Sequence, residues 1–115
     1  MDDYRDRLRK LAVRDDALVA DLLVNEASIT EACRLDAKTH ALVRLTATVA
    51  VEACSSSYQH AVDRALAAGA TRDEIAGTLM AVVSLTGVPR AVTAAPKLAL
   101  ALGYDVEAAL EKLDP

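Results

Sequence analysis

Residues 71–87 read TRDEIAGTLMAVVSLTG, and this stretch limits the possible folds more than any other. Thr71 followed three residues later by Glu74 is a capping box. The hydroxyl accepts from the Glu74 backbone N–H while the Glu74 carboxylate accepts from that of Thr71, which satisfies two donors that a helix start leaves open. The helix so opened is apolar nearly all round, and Gly87 marks its end. A helix of that kind must be covered on every side. Pro89 suits the first turn of the next helix, PRAVTAAPKLALALG, which ends at Gly103 and carries Pro96 inside it, where one backbone hydrogen bond is lost. Two adjacent apolar helices leave more apolar surface than a lone small monomer exposes. The expectation is a homo-oligomer centred on the apolar helices of residues 74–102.

The rest of the chain has the same period. No window alternates as a strand does, whereas helical spacing recurs throughout. Tyr4, Leu8, Leu11 and Ala12 make one face of a first helix, and Ala17 to Leu23 suggest a short second one ending near Asn25. Asp36 is a good N-cap for a third, running through ALVRLTATVAVEA to Ala53. A fourth follows Ser55–Ser57 and ends at Gly69; a last short helix follows Asp105. Together these predict an all-α protein of about six to seven helices, a single domain over residues 1–115.

Charge and composition narrow the partners. Thirteen basic against 17 acidic residues give a net charge of -4, and the basic residues nearest to one another (Arg5, Arg7, Arg9, Lys10, Arg14) alternate with aspartates. That is a solvated helix face rather than a nucleic-acid footprint, so no nucleic-acid partner is expected. The longest apolar run, Ile75 to Pro89, falls short of the roughly 20 residues of a spanning helix, so no membrane partner is expected either. Two cysteines and no secretory leader pattern predict a reducing, cytoplasmic setting. Cys33, His40, Cys54 and His60 lack any standard metal spacing, and no metal is expected.

The candidate chemistry lies around CSSSYQH, residues 54–60. At a helix start the macrodipole favours a thiolate, which makes Cys54 a candidate nucleophile; a free cysteine is otherwise a small hydrophobe, the only reading for Cys33. His60 suits proton transfer near neutral pH. Ser55, Ser56 and Ser57 fit helix capping, with no Ser-His-Asp arrangement readable. His40, Arg44, Thr48 and Glu52, spaced by four, form a polar stripe on the third helix. On that stripe Arg44 is a candidate carboxylate anchor and Glu52 a candidate proton carrier; a salt-bridged surface face is the other reading. Arg90, beside Pro89, either reaches an anionic ligand or pairs across a subunit contact.

RALAAGATRDEI, the long apolar helix after it and GVPRA together resemble the carboxymuconolactone decarboxylase family, which includes the alkylhydroperoxidase D enzymes; the resemblance spans roughly Asp36 to Gly103. It implies an all-α alkylhydroperoxidase D-like domain assembled as dimers, trimers or hexamers. It also implies one of two activities. Decarboxylase members remove carbon dioxide from a muconolactone acid in aromatic catabolism, without metal or organic cofactor. Peroxidase members use a Cys-x-x-Cys pair, a histidine after it and a glutamate on the preceding helix. Counting back from Gly69, Cys54 takes the place of the first cysteine and Ser57 that of the peroxide-attacking one. The histidine would fall at Ala61, one residue from His60, and the glutamate at Ala41 or Leu42.

A dithiol cycle needs a second thiol, which Ser57 does not supply. The leading expectation is therefore a cofactor-independent lyase acting on a small carboxylated ring compound, with Arg44 holding the anion and His60 or Glu52 moving the proton. A Cys54-dependent peroxidase resolved by an outside thiol and a non-catalytic oligomeric module are the alternatives.

Overall fold

The computed structural model of the protein describes residues 3–24 and 26–113. Among them are eight α-helices and no strand, in the order α1 (Tyr4–Ala12), α2 (Asp16–Val24), α3 (Glu26–Cys33), α4 (Ala37–Ala50), α5 (Ser55–Ala67), α6 (Arg72–Thr86), α7 (Val88–Ala101) and α8 (Val106–Leu113). The all-α expectation holds, with one helix more than expected. Packing divides the chain into two compact units, residues 1–36 and 37–115.

The first unit holds α1, α2 and α3. Asp3 caps α1 by accepting from the Asp6 amide, and Asp15 accepts from the Leu18 amide at the start of α2. Arg7 on α1 donates to the Ala32 carbonyl on α3 at 3.2 Å. Helix α3 is the additional one. Its short polar run, with β-branched Ile29 and Thr30, has weak helix propensity, and it stops at Arg34 in a left-handed conformation rather than at a glycine. Helix α2 ends at Val24; its expected end near Asn25 lies outside the described residues.

The second unit is built round α4–α7. Helix α4 packs on α5 and α6, and α7 packs on α5 and α6. Each contributes a stripe at helical spacing: Ala41, Leu45 and Val49; Tyr58, Val62 and Ala65; Ile75 and Leu79; Ala91, Ala94 and Leu98. The alanines bring the backbones close, and Leu45, Tyr58, Val62 and Ile75 fill what remains. The capping box at Thr71 and Glu74 is present with both hydrogen bonds, at 3.0 and 2.9 Å. Gly87, at φ 93°, ends α6 where a side chain would strain the backbone. The apolar character of α6 and α7 is not covered within one chain: Met80, Leu85, Val88 and Val92 are 62 to 83% exposed.

The third expected helix ends early. Helix α4 stops at Ala50, so Val51–Ala53 form a turn, not its last turn. The amide of Ala53 bonds to the Thr48 carbonyl and that of Glu52 to the Val49 carbonyl, both at 3.2 Å, with Glu52 at φ 54°. These are the two bonds of a Schellman ending, with glutamate in the place glycine usually takes.

Candidate functional site

Helices α4 and α5, joined by the 51–53 turn and Cys54, enclose an open cleft of about 510 Å³. Arg44 and Thr48, one turn apart on α4, face Ser56, Ser57, His60 and Arg64 on α5. Ala41, Ala47 and Ala61 form apolar wall, and Val51 and Ala53 of the turn close one end. Two guanidiniums and an imidazole border one small cleft, and the planar fork of Arg is of the chemistry that matches a carboxylate. Thr48 contributes less, because its hydroxyl donates to the Arg44 carbonyl at 3.0 Å.

Cys54 is the N-cap of α5 and is exposed. The serines that follow it occupy the first turn of the helix rather than the cap, and no side-chain bond caps α5. Instead the hydroxyls of Ser56 and Ser57 lie 3.1 and 3.6 Å from the Cys54 sulfur. The Ser56 hydroxyl first, then the Ser57 hydroxyl and the Ser57 amide, lower the thiol from an ordinary 9.0 to about 6. A thiolate there accepts from donors that the helix start already points toward it. Cys54 does not itself line the cleft, although Ser56 and Ser57 do. Cys33 lies in the other unit, donating to the Thr30 carbonyl; both cysteines are free.

The polar stripe divides into three. His40 is buried, Arg44 and Thr48 face the cleft, and Glu52 lies beyond the helix end. The Glu52 carboxylate is 3.3 Å from Arg90 Nε on α7, and a second Arg90 nitrogen donates to the Ala50 carbonyl at 2.7 Å. Arg90 thus pairs within its own chain. Lys97, two turns further along α7, donates to the Ala53 carbonyl at 3.4 Å and lies 6.0 Å from the centre of the Tyr58 ring. Tyr58 is buried against this turn, and burial first, then the Glu52 charge, raises its phenol. Of the residues singled out from sequence, the cleft brings together Arg44, Thr48, Ser56, Ser57 and His60, but neither Glu52 nor Cys54. Arg64 was missed; its signal is the spacing of four from His60, which puts both on one face of α5.

A family model described as the carboxymuconolactone decarboxylase family matches residues 17–100. The chain belongs to the carboxymuconolactone decarboxylase family. A search of curated proteins and a search of solved structures each returned no match. Leu42, one of the two places for the peroxidase glutamate, does not line this cleft; Ala41, the other, does, together with Ser57 and Ala61 at the peroxide-attacking cysteine and histidine positions. His60, one position from Ala61 and so turned by about 100° on the helix, lies at the exposed mouth while Ala61 is buried in the wall.

Proposed function

We propose that the α4–α5 cleft is the active site of a cofactor-independent carboxy-lyase acting on a small carboxylated ring compound, as in the decarboxylase branch of the family. The observation that carries this reading is the convergence of Arg44, Arg64 and His60 on a cleft that holds Ser57 and Ala61 at the peroxide-attacking cysteine and histidine positions. Arg44 and Arg64 bind the substrate's carboxylates through charge-assisted hydrogen bonds and fix the ring against the alanine wall. The bond from ring carbon to carboxylate breaks, carbon dioxide leaves, and the electron pair passes into a conjugated carbonyl of the ring. Protonated His60 then delivers its proton to carbon and is reprotonated from water at the open mouth. Glu52, paired with Arg90, holds the turn and takes no part in the proton transfer.

The protein works in this reading as a cytoplasmic homo-oligomer joined through α6 and α7, whose exposed Met80, Leu85, Val88 and Val92 supply the apolar surface for association. No described helix is long and apolar enough to cross a membrane.

The test is carbon dioxide release from a carboxylated muconolactone by the native protein and two variants. His60→Ala is expected to lose turnover and Cys54→Ser to keep it. Equal activity in the two variants would sink the assignment.

One observation favours a second reading. The Cys54 thiol, exposed and lowered to about 6, has the character of a peroxide-reactive cysteine. In that reaction the thiolate attacks one peroxide oxygen, the O–O bond breaks and an alcohol leaves. The sulfenic acid is reduced by an external thiol, because Ser57 offers none. Peroxide consumption that disappears in Cys54→Ser would establish it.

A further inference from the structure

We propose that Arg90 and Lys97 are positioning residues for the cleft, gripping the α4–α5 turn from α7 so that the end wall of the cleft and the first turn of α5 keep their shape. Their contacts span the whole connection. Arg90 holds the Ala50 carbonyl, an acceptor left open where α4 ends, and pairs with Glu52; Lys97 holds the Ala53 carbonyl.

The turn needs such support. Glu52 sits at φ 54°, a left-handed conformation that is strained for a residue other than glycine. The Schellman bonds from Glu52 and Ala53 satisfy carbonyls of α4, yet they leave the Ala50 and Ala53 carbonyls to other donors. Arginine suits the first task because its fork reaches a carbonyl and a carboxylate at once. Lys97 sits two turns further along α7 and extends over the ring of Tyr58, so one helix fixes both ends of the turn and the buried residue behind it. Val51, Ala53, Ser56 and Ser57, all on or next to this turn, line the cleft. A loosened grip therefore widens the wall and releases the serine hydroxyls that face the Cys54 sulfur.

Cys54, the next residue after the turn, reports on this geometry whichever reaction the cleft performs. Its alkylation by iodoacetamide, followed from pH 4 to pH 10 by intact mass, gives the pH midpoint of the thiol in native protein, Arg90→Met, and Arg90→Met combined with Glu52→Gln. Far-UV circular dichroism confirms that each variant is folded. The expected result is a midpoint raised in Arg90→Met by about one pH unit, toward the ordinary value of 9.0. The double variant should keep that shift. An unchanged midpoint in Arg90→Met would overturn the proposal. So would a shift that Glu52→Gln cancels, because Arg90 would then act only as a counter-charge to Glu52. Should Arg90→Met fail to fold, Lys97→Met is read in its place with the same expectation and the same refuting result of an unchanged midpoint. Because the readout needs no substrate, its failure is distinct from failure of the lyase assignment.

Discussion

Replacing Ser56 by alanine removes the largest single cause of the lowered Cys54 thiol while leaving α5 intact, since alanine is the better helix former. At pH 7 a thiol with a pKa of about 6 is about 90% ionised, and one at 9.0 about 1%. The gain in alkylation rate is far smaller than that ratio. Intrinsic nucleophilicity falls with pKa along a slope of about 0.4–0.5, so three units cost about 20-fold and leave a net advantage of about four- to fivefold. A rate at one pH therefore discriminates poorly, and the midpoint of the pH profile is the quantity to measure. The Ser57 hydroxyl and amide remain, so Ser56→Ala should raise the midpoint by about one pH unit and not restore the ordinary value. The assay is iodoacetamide labelling across the pH range, quantified by intact mass. A native midpoint near 9.0, or one unmoved by Ser56→Ala, would refute the claim that the serine hydroxyls stabilise the thiolate.

Leu45, with none of its side chain exposed at the centre of the α4 stripe, should cost about 2–5 kcal/mol when cut to alanine, read from urea unfolding; a loss under about 1 kcal/mol would mean that the core is not packed there. The Glu74 carboxyl is held below its ordinary 4.5 by Lys38 first and the Thr71 amide second, with a Lys38 contact of 2.6 Å. A depressed folded value makes its contribution fully present above pH 4.5 and lost as pH falls through the folded value. Native protein should then be more stable than Glu74→Gln at pH 6 and should converge with it below pH 4.5. A difference independent of pH would contradict this ionic origin.

What could be read from sequence was local. The capping box at Thr71 and Glu74, the stop at Gly87 and the placement of Pro89 each depend on residues within a few positions, and all are found in the structure. The end of α4 and the whole of α3 were hidden because left-handed Glu52 and Arg34 stand where glycine would have marked the stop. That misread ending is what placed Glu52 on a helical stripe with Arg44. The cleft was half legible. Arg44 and His60 stood out by chemistry, but nothing in one dimension tells that Arg64 faces Arg44, nor that Arg90 and Lys97 reach back some 40 residues to the turn. Those pairings come from the packing of α4, α5 and α7, which apolar spacing specifies only as faces.

The most direct test of the lyase account is product analysis by NMR after native protein is incubated with a carboxylated muconolactone in D2O. The account predicts one carbon dioxide for each product molecule, and one deuteron on the carbon skeleton where the departing electron pair is captured. Unchanged substrate, under conditions where the protein consumes an organic peroxide through Cys54, would contradict it.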